Sequence, residues 1–331
     1  MSLKHDLKNI VVNEEVSGPF ISLFLPLYPS KDNFKFDDTE FNSLLSKAKK
    51  QFIAKYGEKN WSKYEKKIKA TQNDIIFDYA QSKSLAIIIS NETAYHYYLP
   101  RKVDLQVRVA DKPYILPIIR GYEYMPSYNI AKITRSSFEM FTVKNGLVSQ
   151  MNLSDDAPIS AEQANMDQYF RMVDEYITKH ISLKDHLKVV LMATENDAGE
   201  FKKLSHNHFL DKEDTLTIPA VINHETLEKA TAKITKRFID ESREKIEDAI
   251  DLAHSKKRYL EGMKDVQAAA EEGRLDTTVI AHELAVNETE TDEQVQANEI
   301  AIDTLVYGSQ VDLVDPAVIN DQSIVGILRG I

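Results

Sequence analysis

The 331-residue sequence predicts a multidomain α/β protein of the α+β type, and three observations lead to this prediction. Short runs alternate apolar and polar residues, which is typical of half-buried strands, while other apolar residues recur every three to four positions, as on amphipathic helices. Charge also divides the chain, because residues 1–125 hold 19 basic and 15 acidic residues, whereas residues 126–331 hold 22 and 37. We expect three domains, at residues 1–125, 126–228 and 229–331.

The first predicted domain contains both strands and helices. Helical spacing of apolar residues predicts one helix over Phe41–Tyr56 and a second that carries apolar residues from Trp61 to Tyr79. Apolar or alternating runs predict four strands, at Phe20–Pro26, Leu85–Ser90, Thr93–Leu99 and Val103–Val109. Residues 113–126 form a connector with a short central helix.

The middle domain is predicted to begin with a hairpin. Alternating runs at Ser137–Val143 and Leu147–Leu153 flank an Asn-Gly pair, which is a strong hairpin signal, and Tyr128–Thr134 precedes them as a third strand. A helix is expected around Tyr169–Ile177. It is followed by a buried strand, a helix and a further strand, at Leu187–Ala193, Ala198–Leu204 and Thr215–Val221.

The last domain is predicted to be entered through one long helix over Leu227–Leu260 that Gly262 interrupts. A second helix is expected to end at Gly273, in the left-handed conformation that favours glycine. Residues 286–294 are acidic and lack apolar periodicity, so we expect a loop there. The remaining predicted elements are strand Thr277–Ala281, helix Val295–Val306 and strands Val311–Val314 and Ile324–Arg329.

This order resembles that of archaeo-eukaryotic release factors and Pelota, and more closely that of their bacterial relatives, the baeRF family. Three segments carry the resemblance: Lys188–Asn196 resembles the family's apolar strand and small-residue turn, Glu271–Ile280 contains a Gly-Arg-Leu-Asp similar to its Gly-Arg-Val-Asp, and Ile324–Ile331 resembles its closing strand. The resemblance implies a three-domain release-factor-like architecture. Its middle domain would hold a ribonuclease-H-like mixed sheet, and its C-terminal domain would be like kink-turn-binding ribosomal proteins.

The family resemblance also implies a role in translation, such as rescue or hibernation, with a translational GTPase as protein partner of the acidic last domain. In catalytic release factors, the loop after the third middle-domain strand carries Gly-Gly-Gln, which presents a backbone amide and a water to the peptidyl-tRNA ester. The corresponding loop here, Ser154–Asn165, contains Gln163 but no glycine, and the chain has no Gly-Gly pair. Close backbone approach is cheap only without a Cβ, so we expect no peptide release. The simpler interpretation is a solvated connection in which Ser160 or Asn165 caps the next helix.

Nine lysines make residues 47–69 the strongest basic segment: Lys47, Lys49, Lys50, Lys55, Lys59, Lys63, Lys66, Lys67 and Lys69. Aromatic residues, Trp61 among them, lie between these lysines, so the segment could contact a phosphate backbone and stack bases. The alternative, which helix burial of the aromatics favours, is two amphipathic helices with solvated lysines. If the protein sits on the ribosome, we expect this segment to contact ribosomal RNA. Reversal of Lys49, Lys50, Lys66 and Lys67 to glutamate should then remove binding and leave the fold intact.

A metal-dependent hydrolase or nuclease on the ribonuclease-H-like sheet is the alternative function. It needs clustered carboxylates, and the hairpin strands offer Glu139 alone. His206 and His208 are weak candidate metal ligands, since no carboxylate accompanies them at a diagnostic spacing. Phosphate-binding and dinucleotide motifs are absent, so we expect no cofactor. The chain has no cysteine, no secretory signal pattern and no apolar run of about 20 residues, so we expect a cytoplasmic protein without membrane contact.

Overall fold

The computed structural model describes residues 7, 10–11, 18–29, 34–74, 82–144, 147–159, 165–286 and 291–330. They form two compact units, of which one combines residues 1–123 with 245–331 and the other is Tyr124–Glu244. Both units mix helices with sheets, so the multidomain α/β class is confirmed. The boundaries of three domains are not tested by this grouping and remain predictions. No helix within the described ranges is both long and apolar enough to cross a membrane.

The first segment of the chain builds an antiparallel sheet and three helices. Its strands are β1 Phe20–Pro26, β2 Tyr28–Pro29, β3 Phe34–Lys35, β4 Ser84–Ile89, β5 Ala94–Leu99 and β6 Gln106–Ala110. Its helices are α1 Asp38–Tyr56, α2 Trp61–Asp74 and α3 Leu116–Gly121. The sheet order is β5-β4-β1-β6, and every residue of β1 and β4 is buried because both faces of the sheet are covered. The apolar residues predicted at 75, 76 and 79 lie outside the described residues.

The second unit contains the mixed sheet. Its strands are β7 Tyr128–Ile133, β8 Phe138–Lys144, β9 Leu147–Gln150, β10 Val189–Met192 and β11 Leu210–Leu216. The sheet order is β11-β10-β7-β8-β9, where β7, β8 and β9 pair antiparallel and β10 runs parallel to both of its neighbours. This is the predicted ribonuclease-H-like order. The helices are α4 Met166–Ile177, continued by a wide turn over Thr178–Ser182 and a helical turn at Leu183–Asp185, then α5 Glu195–Leu204.

A 32-residue helix, α6 His224–Ser255, begins in the second unit and leads to the last segment. That segment adds strands β12 Tyr259–Glu261, β13 Leu275–Ala281, β14 Gln310–Val314 and β15 Ile324–Leu328. Its helices are α7 Met263–Glu271 and α8 Asp292–Val306, with single 3-10 turns at His282–Ala285 and Pro316–Ile319. Gly273 has the predicted positive φ, at 67°, and a Cβ there would meet the Tyr307 ring.

Three predicted elements need correction. The last strand of the mixed sheet is Leu210–Leu216 and not Thr215–Val221, because the sheet's edge strand carries charged residues that hide its periodicity. The long helix ends at Ser255, and Leu260 lies in β12, where it pairs with Gly326. The acidic segment before Val295 is partly helical, since α8 begins at Asp292. A capping box between Thr291 and Gln294 stabilises the start of this helix.

One hydrophobic core joins the first and last segments. Phe24 and Tyr114 from the first segment belong to the same buried cluster as Leu275 and Ile300 from the last. Buried polar contacts connect the segments as well. Asn298 accepts from the Ile115 backbone N–H at 2.9 Å and donates to the Pro113 carbonyl at 2.9 Å. These contacts explain why residues 1–123 and 245–331 form one unit.

Candidate nucleic-acid interface

Helices α1 and α2 bury their aromatic residues in the first unit. The Phe52 ring lies 5.7 Å from the Trp61 ring and 4.7 Å from the Tyr64 ring, between centroids, and all three side chains are at most 4% exposed. Trp61 Nε1 donates to Glu65 Oε2 at 2.9 Å, and the Tyr64 hydroxyl donates to the Pro19 carbonyl at 2.8 Å. The structure therefore corrects the role predicted for Trp61, since a buried ring offers no face on which a base can stack.

The lysines of the same helices remain at the surface. We call the exposed members of the basic segment the lysine surface, and they are Lys47, Lys49, Lys50, Lys55, Lys59, Lys63, Lys66 and Lys69. Alternation of buried aromatics with exposed ammonium groups follows from the helical period, because every third or fourth residue faces the sheet. The two helices are therefore amphipathic, with buried aromatic residues and solvated lysines, as the alternative interpretation predicted. Their exposed side is a cationic surface.

Several lysines of the segment already have protein partners. Lys67 is half-buried and donates to the carbonyls of Ser90 and Asn91, and burial lowers its pKa, with Lys63 adding to the shift. Lys55 donates to the Val109 carbonyl at 2.9 Å. Because Lys67 holds the loop after β4, its reversal should disturb the fold, which corrects the expectation that the reversal of Lys67 is harmless.

Other members of the segment interact with nearby polar or acidic side chains. Lys63 donates to Asn91 Oδ1 at 2.9 Å, and Lys69 forms an ion pair with Glu65 at 2.7 Å. The hydrogen bond from Lys69 lowers the pKa of Glu65, and the charge of Lys49 contributes. Within the part of the basic segment that the structure describes, five lysines have neither a hydrogen bond nor an ion pair. One of them, Lys49, acts on the charge of Glu65, and the other four have no such neighbour. They are Lys47, Lys50, Lys59 and Lys66, and their charges are the most available to a phosphate partner.

The loop at the position of the release-factor tripeptide is anchored at its start. Ser154 Oγ donates to Asp156 Oδ1 at 2.5 Å, and the Ser154 backbone N–H donates to the Tyr176 hydroxyl at 3.0 Å. At the loop's end, Asn165 Oδ1 accepts from the Gln168 N–H and caps α4, as predicted. Gln163 and the alternative cap Ser160 lie outside the described residues.

Ser154 and Asp156 of this loop lie near His180 of the turn after α4, but not in a catalytic order. His180 Nε2 lies 3.6 Å from Asp156 Oδ2, whereas the Ser154 hydroxyl bonds to Asp156 rather than to His180. The serine bond lowers the pKa of Asp156, which keeps this carboxylate charged. A nucleophilic serine requires the base next to its hydroxyl, so this arrangement does not activate Ser154.

The weak metal candidates His206 and His208 are exposed on the loop between α5 and β11. The His206 backbone N–H donates to Asp174 Oδ2 at 3.0 Å, and Ser205 Oγ donates to the other oxygen of the same carboxylate. These contacts give the loop a structural role. Within the described residues, no three histidine, aspartate or glutamate side chains are grouped so that they could hold a metal ion.

Carboxylates of the mixed sheet converge on an arginine. Arg237 of α6 contacts Asp211, Glu213 and Asp214 of β11, the last two at 3.0 and 2.8 Å, and Glu241 of its own helix at 2.6 Å, a set that we call the Arg237 cluster. Burial alone would raise the pKa of Asp211, but hydrogen bonds from Arg237 and from the backbone outweigh it and lower the pKa. Glu139 of β8 is paired with Lys132. The Arg237 guanidinium contacts all of the converging carboxylates and offsets part of their negative charge, so the hydrolase or nuclease alternative gains no support from these residues.

Comparison of the sequence with protein-family models finds a match. Residues 128–274, less than half of the chain, match the model of bacterial archaeo-eukaryotic release factor family 3. The predicted resemblance is confirmed over this segment. The baeRF family is release-factor-like and associated with translation, and the matched residues contain the complete mixed sheet and α6. No curated protein matches the sequence.

Several solved structures are also similar to this chain. The archaeal translation termination factor aRF1 is 16% identical, with 99% of this chain and 98% of that chain covered and a TM-score of 0.28. Ribosome-bound archaeal Pelota, described together with ABCE1, is 12% identical, with coverages of 99% and 94% and a TM-score of 0.46. Saccharomyces cerevisiae Dom34 is 10% identical, with coverages of 98% and 93% and a TM-score of 0.40.

Proposed function

We propose that this baeRF-like protein is a non-catalytic, translation-associated protein that binds the ribosome through its lysine surface. The observation that supports the proposal is the separation of roles within α1, α2 and the turn that joins them. Their aromatic residues form the core, and Lys47, Lys50, Lys59 and Lys66 carry exposed charge without a partner among the described residues. Such charges contribute little to folding, since exposed side chains usually change stability by no more than about 0.5 kcal/mol.

The physical basis of the proposed contact is phosphate neutralisation. Each lysine that meets an RNA phosphate releases condensed counterions, so the affinity is expected to fall steeply with salt concentration. Burial of Trp61 and Tyr64 removes base stacking from the expected contact. The lysine surface should therefore bind RNA with little preference for sequence, because phosphate contacts fix position and do not read bases.

The last segment is proposed to face a protein partner. Residues 245–331 hold 7 basic and 18 acidic residues, and such a surface repels RNA phosphate. An acidic surface can steer a basic protein partner, and the family resemblance makes a translational GTPase the first to test. A role on the ribosome would also place the protein in the cytoplasm.

Peptide release is not part of the proposed function. The Ser154–Asn165 loop has no glycine, and Asp155 and Asp156 bring negative charge to a position that would face RNA. The purified protein is expected to release no peptide from ribosomes that carry peptidyl-tRNA. Release above the no-factor control, if lost in a Gln163→Ala variant, would contradict this part of the proposal.

Co-sedimentation with purified ribosomes tests the binding. The test variant reverses Lys47, Lys50, Lys59 and Lys66 to glutamate, and its matched control reverses four exposed lysines elsewhere, Lys184, Lys203, Lys256 and Lys264. Both variants change the net charge equally. We expect the wild type and the control to sediment with ribosomes at low salt, and the test variant to stay in the supernatant. Equal binding by both variants, or none by the wild type at any salt concentration, would refute the proposal.

A further inference from the structure

A cavity of about 480 Å³ lies within the first unit, at a place that no sequence motif marks. Its walls come from the end of α1, from β6 and the residues that follow it, and from the first half of α8. The polar residues that matter for its chemistry are Lys55, Arg108, Lys112, Gln294 and Asn298. Pockets of about 300–1,000 Å³ suit small organic ligands, and this volume falls in that range.

The cavity presents fixed positive charge. Arg108 is 5% exposed, its Nη2 donates to Gln294 Oε1 at 3.2 Å, and its guanidinium carbon lies 5.3 Å from the centre of the Tyr114 ring. These contacts hold the planar guanidinium group in one orientation. Arginine held in this way is suited to phosphate and carboxylate groups, since its N–H groups form a rigid fork.

Two more cations line the cavity, and its acidic residues offset them in part. Lys112 lies 3.9 Å from Asp303, a long ion-pair distance, and Lys55 donates to the Val109 carbonyl. Of the two acidic residues in the lining, Asp111 accepts a hydrogen bond from the Tyr56 hydroxyl at 2.8 Å, and Glu299 is the other. Among the described residues, the lining itself holds three basic side chains and two acidic ones, so these side chains together carry a net positive charge.

A buried amide supplies an independent observation. Gln294 is 1% exposed, and its Oε1 accepts from Arg108 and from the Thr291 backbone N–H. Its Nε2 is buried without an acceptor among the described residues. Buried donors in folded proteins nearly always have an acceptor, so this amide lacks a partner that a ligand oxygen would provide.

We propose that this cavity binds a small molecule that carries an oxyanion, either phosphate or carboxylate. The oxyanion accepts hydrogen bonds from Arg108 and Lys112, and the Tyr56 and Tyr114 rings border the remainder of the ligand. The site is separate from the proposed ribosome contact, although Lys55 belongs both to the lysine surface and to the cavity wall. Lys55 is therefore left unchanged in the test.

Calorimetric titration of the full chain tests the proposal, with inorganic phosphate and ADP for the phosphate source, citrate for the carboxylate source and adenosine as the neutral control. We expect ADP, phosphate or citrate to bind and adenosine not to bind. Gln294→Glu keeps the acceptor bonds of Oε1 and adds a negative charge, and Lys112→Gln removes a positive one. Each should weaken binding of the same anion by about tenfold or more.

Lys264→Gln is the matched control, because Lys264 is exposed on α7 outside both the cavity and the lysine surface, and its anion affinity should equal that of the wild type. Melting curves of the ligand-free variants check that they are folded. The proposal is overturned if no anion binds at millimolar concentration, if adenosine binds as tightly as ADP, or if Lys264→Gln weakens binding as much as Lys112→Gln. It is also overturned if short RNA binds through Lys112 and Gln294 while the small anions do not.

Discussion

The lysine surface and the Arg237 cluster are both rich in charge, but the two regions use it in opposite ways. On α1, α2 and the turn between them, four ammonium groups are exposed without a partner among the described residues. Around Arg237, by contrast, one guanidinium contacts the carboxylates of Asp211, Glu213 and Glu241, and the Asp211 side chain is only 2% exposed. The first arrangement adds little to stability, and the second ties α6 to the mixed sheet.

This difference separates a binding surface from a structural one. A buried charge costs free energy unless it is paired, so the residues of the Arg237 cluster depend on one another. An exposed lysine can be replaced at little cost to stability, so folding does not explain why eight exposed lysines are concentrated in residues 47–69. Substitutions in the two regions should accordingly affect different measurements, namely stability in one and RNA affinity in the other.

The largest effect is expected for Arg237→Met, which keeps an apolar side chain of similar length and removes the guanidinium, whose carbon lies 4.6 Å from the centre of the Phe238 ring. Asp211 would then be buried without its cationic partner, at a cost of about 2–4 kcal/mol to the stability of the second unit. Amide hydrogen exchange of β10 and β11 measures this local stability. Lys236→Met is the control on the same helix, because Lys236 is exposed and has no ion pair among the described residues, and its effect should stay within about 0.5 kcal/mol. Equal exchange rates in the two variants would contradict the structural role of Arg237.

The pH dependence of stability in the wild type and in Arg237→Met gives a second prediction. The pKa of Asp211 is lowered in the folded protein. The ionised carboxylate therefore contributes its full stabilisation of the fold at neutral pH, and this stabilisation is lost as the pH falls through the lowered pKa. The stability difference between wild type and Arg237→Met should therefore be constant near neutrality. It should shrink on acidification toward about pH 3, below the ordinary aspartate pKa. A difference that grew with acidification would show that Asp211 is not the group that Arg237 stabilises.

A smaller effect is expected inside the basic segment, where Lys66 and Lys67 are neighbours with different environments. Lys67→Glu removes two hydrogen bonds to the carbonyls of Ser90 and Asn91 and should destabilise the first unit by about 1–3 kcal/mol. Lys66→Glu should change stability by no more than about 0.5 kcal/mol. Thermal unfolding followed by circular dichroism compares them. Identical melting temperatures would mean that Lys67 does not hold the loop.

The smallest effect concerns Trp61, which is the single tryptophan of the chain and is 4% exposed. Its fluorescence should be only weakly quenched by acrylamide and should not change when a short oligoribonucleotide binds. Stacking on a base would quench the emission strongly. N-acetyltryptophanamide provides the reference for a fully exposed indole. Emission that fell in proportion to RNA binding would restore the stacking role that the structure removes.

Much of the fold follows from local patterns in the sequence. The β8–β9 hairpin, the buried strand β10 and helices α1, α2 and α4 have clear apolar periods, and their existence was predictable. The edge strand β11 was misplaced because Asp211, Glu213 and Asp214 belong to the Arg237 cluster and interrupt the alternation. The predicted start of helix α8, at Val295, is three residues too late. In the sequence Gln294 belongs to an acidic segment without apolar periodicity, but in the structure it is buried and forms the capping box.

The candidate sites were less predictable than the fold. Composition located the basic segment, yet it could not separate Lys67, which bonds to carbonyls, from Lys66, which is exposed. The cavity depends on Arg108 and Gln294, which are 186 positions apart in the sequence. Such a pair leaves no local signal, since it forms only when the first and last segments share one core. The position of the cavity is therefore determined by packing between distant segments, which local sequence patterns do not show.

The salt dependence of ribosome affinity tests the central claim most directly. If the four unpaired lysines meet phosphates, the slope of log K against log salt concentration should be about −3 for these contacts. Reversal of Lys47, Lys50, Lys59 and Lys66 should lower the affinity and remove about that much of the slope, whereas reversal of the control lysines Lys184, Lys203, Lys256 and Lys264 should leave it unchanged. A slope that is the same in the wild type and in the test variant would contradict the assignment of ribosomal RNA binding to the lysine surface.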